Sequence, residues 1–416
     1  MTIDEQIQEL RQRVAITTAR VDREMAERPK LPPCLIEDHV NGIEVVTPAG
    51  RHFESNLSYD RRKRHGTMEI GALLDLPHDL LDGISEGEIA AAPPESWAFL
   101  DTETTGLAGG SGTCAFLVGV GRITPDGFQV RQFFMRDYGE ESSQLHALSE
   151  SLADVQVLVT YNGKSFDVPL LETRYRMSRR KPPFSSMAHL DLLYGARRLW
   201  RLRFESCRLV ELESRILGHE RLDDVPGMLI PTIYFDYVRT GRAARLAPVF
   251  LHNALDIVTL ACLTGIVPWA FRDPTACDLP HGAEMVSLAR WLRGSGRLDQ
   301  ACGLFRKGLE RPLPDDLMFR SMWDLAEVEK KLKRHDAAAA LWADLAQCRN
   351  AHRVDALTEL AKHYEHREKS FAMALEFTEA ALAHADTPEL RNRRERLRRL
   401  ANAPRPERLL DLAAGG

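Results

Sequence analysis

The sequence predicts an α/β fold with a mixed sheet, followed by a separate all-helical region. Between residues 97 and 270, strand-like apolar runs alternate with helix-favouring segments. After residue 280 the strand-like runs disappear, and leucine–alanine pairs recur at intervals of 37 and 35 residues. At 416 residues the chain exceeds the usual size of one hydrophobic core. We therefore expect two domains plus an appendage.

Composition and charge indicate a soluble protein. The chain is 44% hydrophobic and 28% charged, and its net charge of -5 does not by itself indicate a polyanionic partner. The seven cysteines are scattered and never arranged as C-x-x-C, which argues against a disulfide framework and a zinc knuckle. The polar first residues argue against a signal peptide, and no run approaches the roughly 18 consecutive apolar residues of a membrane span. We expect a cytoplasmic protein.

Residues 1–96 form an N-terminal region whose role the sequence does not indicate. Residues 4–27 are charged and helix-favouring, and the prolines at 32–33 end the predicted helix. The stretch IEVVTPAGRHFES alternates on both sides of a turn and predicts a small hairpin. An alanine- and proline-containing connection, residues 88–96, leads into the next domain.

Residues 97–270 carry the elements of the predicted sheet. The strand-like runs are 97–101, 114–123, 128–135 and 155–161. Short turns join the first three runs, which predicts an antiparallel start to the sheet. The segment 140–153 has leucines at helical spacing and crosses to the fourth run. The expected domain is therefore a mixed sheet flanked by helices.

Residues 281–400 show an internal repeat. The pairs Leu288-Ala289, Leu325-Ala326 and Leu360-Ala361 are each followed, twelve or thirteen residues later, by Ala301, Ala338 and Ala374. This spacing resembles the tetratricopeptide repeat, a helical hairpin of roughly 34 residues in which small residues let the two helices pack closely. An unrelated helical bundle is the alternative. The repeats predict a protein partner.

Four acids and one histidine lie at strand ends or on helices that the fold could bring together. Asp101 and Glu103 end an apolar strand, and alternation directs both to one face. Asp167 precedes an apolar helix start, and His252 and Asp256 share one helix face at i, i+4. Adjacent carboxylates repel unless a cation lies between them. Hard oxygen ligands suit Mg²⁺ or Mn²⁺, so the pattern predicts a divalent-metal site.

These segments resemble a known family. FLDTETTGLAGGSGT, VTYNGKSFDVPLL, AHLDLLYGARRLW and the HN before Asp256 are similar to the DEDD superfamily of ribonuclease-H-like 3′ to 5′ exonucleases. Within it they resemble the YprB-type subfamily, which adds C-terminal tetratricopeptide repeats and includes a mitomycin repair factor. The resemblance implies a ribonuclease-H-like fold for residues 97–270, DNA as substrate, a role in DNA repair and a DNA helicase as partner.

The resemblance also implies roles for the site residues. Asp101 would bridge two divalent cations, Glu103 and Asp256 would complete the ion on the nucleophile side, and Asp167 would support the second ion. His252 would orient or deprotonate the attacking water. In the family's His-type branch the histidine stands five residues before the last aspartate, whereas His252 stands four before it, the Tyr-type spacing. The alternative is a structural histidine.

Substrate contacts are predicted around the acids. The resemblance implies that Thr104, Thr105 and Leu107 contact the terminal nucleotide, with a tight strand exit as the alternative. Asn162 is expected to hold its loop and Lys164 to reach a phosphate, with a solvated turn as the alternative. A further acid of this region, Asp191, is expected to close a short strand and cap the next helix, with an outer metal ligand as the alternative.

Two groups of basic residues follow the second motif. They are Arg174, Arg176, Arg179, Arg180 and Lys181, and then Arg197, Arg198, Arg201 and Arg203, with Trp200 inside the second group. The second group predicts a single-stranded path, with phosphates on Arg198 and Arg201 and bases stacked on Trp200. Solvated helix faces are the alternative. The arginines between 391 and 399 are expected on the polar face of a capping helix, with contact to nucleic acid as the alternative.

The function hypotheses differ in substrate and in catalysis. The leading hypothesis is a metal-dependent 3′ to 5′ exonuclease that hydrolyses DNA by a two-metal mechanism. An exoribonuclease is the alternative within the same chemistry, because sequence does not place the contacts that recognise a 2′-OH. A non-catalytic scaffold that binds nucleic acid for a repair partner is the alternative from another class.

Overall fold

The computed structural model describes residues 35–85, 87–106 and 112–402. The predicted N-terminal helix at 4–27 and the predicted substrate contact Leu107 lie outside these described residues.

A seven-stranded mixed sheet forms the centre of the α/β part. The strands are β1 Gly42–Thr47, β2 Gly50–Asp60, β5 Trp97–Thr104, β6 Ala115–Thr124, β7 Gly127–Phe134, β8 Val157–Thr160 and β9 Ala188–Asp191, and a separate small ladder pairs β3 Arg64–His65 with β4 Met68–Glu69. The order of the strands across the sheet is β1-β2-β7-β6-β5-β8-β9. Across the sheet, neighbouring strands are antiparallel from β1 through β2, β7 and β6 to β5. They are parallel from β5 through β8 to β9. The predicted mixed sheet with an antiparallel start is confirmed.

The predicted hairpin before residue 60 exists, but it is not part of a separate region. β1 and β2 pair from Gly42↔Ser55 to Thr47↔Gly50. β2 also pairs with β7 over eight positions, from Phe53↔Phe134 to Asp60↔Gly127. The sheet therefore begins well before residue 97, and the predicted division at that position is wrong for the hairpin.

Helices cover both faces of the sheet and continue as a helical region. In the α/β part they are α1 Glu141–Ser151, α2 Asp167–Met177, α3 Leu192–Trp200, α4 Leu209–Leu212, α5 Ile230–Thr240 and α6 Ala247–Arg272. In the helical region they are α7 Gly282–Gly294, α8 Leu298–Leu309, α9 Asp315–Lys331, α10 His335–Gln347, α11 Arg353–His366, α12 Phe371–Leu382 and α13 Pro388–Ala401. Consecutive helices of this second set pack on each other.

Helix α6 is the central element of the core. Its residues are apolar almost all round, as expected for a helix buried on several sides. Ile257, Val258 and Leu260 are fully buried in one cluster that reaches from the sheet to α3 and to α7. This cluster joins the sheet to the first helices of the helical region. The other face of the sheet packs on α1 and α2 around Leu148, Leu158 and Leu171.

A glycine lets α6 approach the strand that carries the acids. Gly119 on β6 pairs with Asp101 on β5. A Cβ atom at Gly119 would lie 2.3 Å from both Asn253 Oδ1 and Ile257 Cδ1 of α6. Any larger residue would push the helix away, because real Cβ atoms do not approach so closely. The small residue at 119 therefore sets the distance between α6 and the site.

The repeated alanines of the helical region all lie in its interior. Ala289, Ala326 and Ala361 are fully buried, and so are Ala301, Ala338 and Ala374. Each lies on a helix that packs on its neighbours in the chain. Small side chains at these positions let the helix axes approach, which explains the periodicity seen in the sequence.

One described helical span, Ala243–Arg272, is long and apolar enough to cross a membrane by length and composition. Of its most apolar window, 72% is buried inside the protein. The central position of α6 against the sheet therefore accounts for its hydrophobicity.

Candidate active site

The four predicted acids converge at the end of β5. Asp101 and Glu103 lie two residues apart on β5 and both face α6. Asp256 lies on α6 and Asp167 is the first residue of α2. The charges of Asp256, Glu103 and Asp167 act on Asp101, which shows that the four carboxylates form one electrostatic group. The predicted convergence is therefore present in the described residues.

Hydrogen bonds hold the strand acids in place. Asn253 on α6 donates from Nδ2 to Asp101 Oδ2 at 2.8 Å, and its Oδ1 accepts from Gln132 Nε2 at 2.9 Å. Both amides are fully buried. On the neighbouring side, Thr102 Oγ1 donates to Asp167 Oδ1 at 2.5 Å. Sequence reasoning did not assign roles to these three polar residues, because only the fold brings Gln132 next to Asn253.

An arginine that the sequence analysis missed partly neutralises the acids. Arg221 donates from Nη2 to Asp256 Oδ1 at 2.5 Å, and only 3% of its side chain is exposed. Glu213 accepts from Arg221 Nε and also from Thr259 Oγ1 at 2.6 Å. Hydrogen bonds from His65, together with the charge of Arg221, hold the pKa of Glu213 below its usual value although burial opposes this. A buried ionised glutamate thus anchors the guanidinium beside Asp256.

His252 faces the acids despite its unusual spacing. Its Nδ1 lies 2.8 Å from Asp224 Oδ1. Its Nε2 lies 4.0 Å from Glu103 Oε1 and 3.7 Å from Asp256 Oδ2. Because a carboxylate only accepts, Asp224 keeps the proton on Nδ1 and leaves the lone pair of Nε2 directed toward the acids. Asp224 is a second residue that the sequence analysis missed.

Burial makes the acid group costly when it is ionised. It raises the pKa of Asp101 and that of Glu103 well above their usual values, and the other acids raise both further. It raises the pKa of Asp167 to about 6. The pKa of Asp256 is also raised by burial, against the opposing charge of Arg221.

Divalent cations suit this group of carboxylates. The side chains of Glu103 and Asp256 keep 13% and 15% of their area exposed, so small ions can reach them. Among the described residues, Arg221 is the one cationic side chain that donates a hydrogen bond to this group of acids, and it does so to Asp256. Hard oxygen donors in excess over positive charge are what Mg²⁺ and Mn²⁺ require. The residues present therefore fit the expected metals.

A second group of possible ligands lies behind Arg221. Ligand atoms of His65, Glu213 and His219 lie within 4.8 Å of one another. The Arg221 guanidinium already supplies a positive charge to Glu213. We interpret this group as the support for Arg221.

The threonines after the acids take part in a tight strand exit. Thr104 Oγ1 donates to Gly106 O at 2.9 Å, and Thr105 Oγ1 accepts from Cys114 N at 3.0 Å. The ladder between β5 and β6 shifts register at Glu103 and Thr104. Contacts of Thr104 and Thr105 with a terminal nucleotide stay a prediction, as does that of Leu107.

Asp191 organises the loop between β8 and Asp167. Its Oδ1 accepts from Asn162 N at 2.7 Å and from Leu193 N at 3.2 Å, and its Oδ2 accepts from Lys164 N at 3.1 Å. The predicted helix cap is confirmed. Asn162 has φ +68, a conformation that asparagine tolerates well. The Lys164 side chain is exposed and free to reach a phosphate.

The predicted base-stacking role of Trp200 is wrong. Trp200 is 2% exposed and lies in the core cluster with Leu199 and Phe204, where no base can reach it. Arg198 and Arg201 on the same segment are exposed, and Arg198 lies over the Trp291 ring at 5.3 Å. Sequence pattern identified the basic stretch but did not show which of its side chains points inward.

Comparison with known proteins agrees with this geometry. Residues 98–267 match the RNase H superfamily, an interval that includes all four acids and His252. The chain is 35% identical over 309 residues to the YprB protein of Bacillus subtilis (strain 168), covering 72% of this chain and 74% of that protein. An RNase H superfamily domain supports a nucleic-acid-processing hydrolase, and such nucleases generally use divalent metals. The chain therefore belongs to the YprB family, with an RNase H superfamily domain over residues 98–267.

Proposed function

We propose that the protein is a metal-dependent 3′ to 5′ exonuclease of the DEDD type that degrades DNA in DNA repair. The observation that carries the proposal is the meeting of four carboxylates with a histidine whose Nε2 faces them. A protein that only bound nucleic acid would have no need for four mutually repelling buried acids. DNA as the substrate rests on the family resemblance.

Asp101, Glu103, Asp167 and Asp256 would hold two divalent cations. Bound there, the cations supply a lowered pKa for the attacking water and charge neutralisation at the departing oxygen. Without cations, the raised pKa values of these carboxylates reflect their burial and mutual repulsion. The protein supplies the fixed positions, through the bonds from Asn253 to Asp101 and from Thr102 to Asp167.

His252 would accept the proton of the attacking water at Nε2. The helical i, i+4 spacing puts it on the same face of α6 as Asp256, so the Tyr-type spacing does not turn it away. Asp224 holds the ring from the other side and stabilises the charge that the imidazole gains. The same carboxylate therefore orients the base and supports its protonated form.

Asp224→Asn should lower the turnover number about 10- to 100-fold with little change in KM, because orienting partners have effects of this size. Asparagine keeps the shape but loses the charge and allows the other tautomer of His252. Nitrogen-detected NMR of the imidazole should show Nδ1–H in the wild type and a mixture in the variant. Asp236→Asn is the matched control, since Asp236 forms surface ion pairs with Arg239 and Arg245. An unchanged rate and tautomer would contradict the role.

Digestion of labelled oligonucleotides tests the proposed function. A 5′-labelled strand should shorten stepwise, and a 3′-labelled strand should release its label first, in the presence of Mg²⁺ or Mn²⁺. Matched DNA and RNA, single- and double-stranded, separate the DNA exonuclease from an exoribonuclease. Metal-dependent binding without release of mononucleotides from any end would support the non-catalytic scaffold instead.

We further propose that the helical region is a tetratricopeptide-repeat domain that binds a protein partner. Successive packed helices and six buried alanines at the repeat positions support this. A DNA helicase as that partner stays a prediction from the family resemblance. We also propose that the protein acts in the cytoplasm, and the six described cysteines, which are all free thiols, are consistent with that compartment.

A further inference from the structure

A continuous basic groove follows α3 from the active-site edge to the helical region. A cavity of about 690 Å³ is lined by Asn162, Arg197, Arg201 and Arg208, among others. A second cavity of about 400 Å³ shares Arg197 and Arg201 and extends to Ser287 and Arg290 on α7. Because the two cavities share Arg197 on α3 and Arg201 directly after it, they form one surface, which we call the α3 groove.

The α3 groove carries positive charge that the protein does not neutralise. Within the described residues, Arg197, Arg201 and Arg208 form no ion pair with an acid. Among the residues that the structure describes, Glu205 is the one acid lining the first cavity, and none lines the second. In contrast, Arg174 and Arg176 of the other basic group are paired with Glu141 and Glu172. In a chain of net charge -5, this groove is a local exception.

Among the described residues, two that line the second cavity each carry a buried polar atom without a hydrogen-bond partner. They are Ser287 Oγ and Arg290 Nη2. Ser287 is 4% exposed, and Arg290 is held by a bond from its Nε to Asp324 Oδ2 at 2.7 Å. Buried donors without an acceptor are rare in folded proteins. A ligand with several acceptor oxygens would satisfy both atoms.

The groove begins next to the acids. Asn162 follows the carboxyl end of β8, and the same loop leads to Asp167 at the start of α2. β8 runs parallel to β5, so the carboxyl ends of both strands lie at one edge of the sheet. A strand with its end at the acids can therefore continue into the groove.

We propose that the α3 groove binds the phosphodiester backbone of the substrate strand, with α7 of the helical region as part of the nucleic-acid interface. The proposal rests on the proposed nuclease function. Backbone phosphates provide the negative charge for Arg197, Arg201 and Arg208, and the acceptor oxygens for Ser287 and Arg290. The helical region would then position substrate as well as bind a protein partner.

Binding of a fluorescein-labelled oligothymidylate to the full chain tests this. Anisotropy is measured in Ca²⁺ at several salt concentrations, with Asp101→Asn as the background that prevents digestion. Arg201→Ala should weaken binding about 5- to 10-fold and reduce the slope of log K against log salt by about one. Arg176→Ala, an exposed arginine of the other basic group, is the matched control and should change neither.

Ser287→Ala separates a binding role from a structural one. The variant should bind the oligothymidylate about 3- to 10-fold more weakly, the effect of one hydrogen bond. Its melting temperature should not fall, because the change removes a buried polar atom that has no partner. The groove proposal alone would be overturned if the wild type digests DNA but both Arg201→Ala and Ser287→Ala bind with unchanged affinity and salt slope. A wild type that neither binds nor digests would overturn the nuclease function with it.

Discussion

Asp101→Asn should reduce hydrolysis of DNA by at least about 10³-fold while leaving the fold intact. Asp101 is the acid on which the charges of the other three act, so it has the central position in the group. Asparagine is isosteric and can still accept the bond from Asn253 through its own amide oxygen. What is lost is the charge that the cations require. The measurement is single-turnover digestion of labelled DNA in saturating Mg²⁺ or Mn²⁺.

The same substitution should stabilise the protein when no cation is present. Because the folded-state pKa of Asp101 is raised, its contribution to stability is full below the unfolded value of 3.8 and is lost as pH rises through the folded pKa. The contribution of Asp167 to stability has the same pH dependence, and it is lost between about pH 4 and the folded-state pKa of about 6. At about pH 8 the wild type carries the full repulsion among the ionised carboxylates of the site. The melting temperature of Asp101→Asn should therefore exceed that of the wild type at about pH 8 and approach it at about pH 5.

Added Ca²⁺ or Mg²⁺ should reverse the order of the two melting temperatures, so that the wild type melts above Asp101→Asn. Saturating cation at 100 times its dissociation constant stabilises the wild type by about 2.7 kcal/mol, and each kcal/mol is about 2 to 4 °C for a domain of this size. The variant should gain much less. Asp126→Asn in the exposed turn between β6 and β7 is the control. Undiminished digestion by Asp101→Asn would remove the basis of the proposed function.

His252→Ala should lower the turnover number about 10²- to 10⁴-fold, the range of a general base. The Nε2 atom that faces Glu103 and Asp256 is lost, and no other described imidazole lies within 4.0 Å of Asp256 or Glu103. The measurement is single-turnover digestion of labelled DNA in saturating Mg²⁺ or Mn²⁺.

Thermal stabilisation by Ca²⁺ distinguishes a general-base role of His252 from a role in metal binding. It should persist in His252→Ala, since the four carboxylates remain, and it should be diminished in Asp101→Asn. His384→Ala, an exposed histidine at the end of α12, is the control and should behave as the wild type. If His252→Ala digested DNA normally, or lost the response to Ca²⁺, the histidine would not be the base.

Local pattern was sufficient for most elements of the sheet. The apolar runs at 97–101, 114–123, 128–135 and 155–161 became β5 to β8, and the leucine spacing at 140–153 became α1. Alternation along β5 correctly put Asp101 and Glu103 on one face. These features depend on neighbours within a few residues, so the sequence displays them directly.

Contacts between distant segments of the chain could not be predicted from local sequence pattern. The hairpin of β1 and β2 looked separate because nothing in its own residues shows that β2 pairs with β7. Trp200 looked like a stacking residue because its neighbours are basic, whereas α3 turns it into the core. Arg221 and Asp224 lie about 30 residues before His252 and Asp256, and no periodicity connects them.

The sequence by itself determined which residues form the candidate site: the four acids, the histidine and the elements that carry them. Periodicity and residue type encode which side chains share a face, and the acids need no other signal to indicate divalent cations. Only the tertiary structure decided how that chemistry is supported. Packing of α6 over Gly119 brings Asn253 to Asp101, and burial of Glu213 anchors Arg221 beside Asp256. Those contacts join segments far apart in the chain, and close packing, not local propensity, selects them.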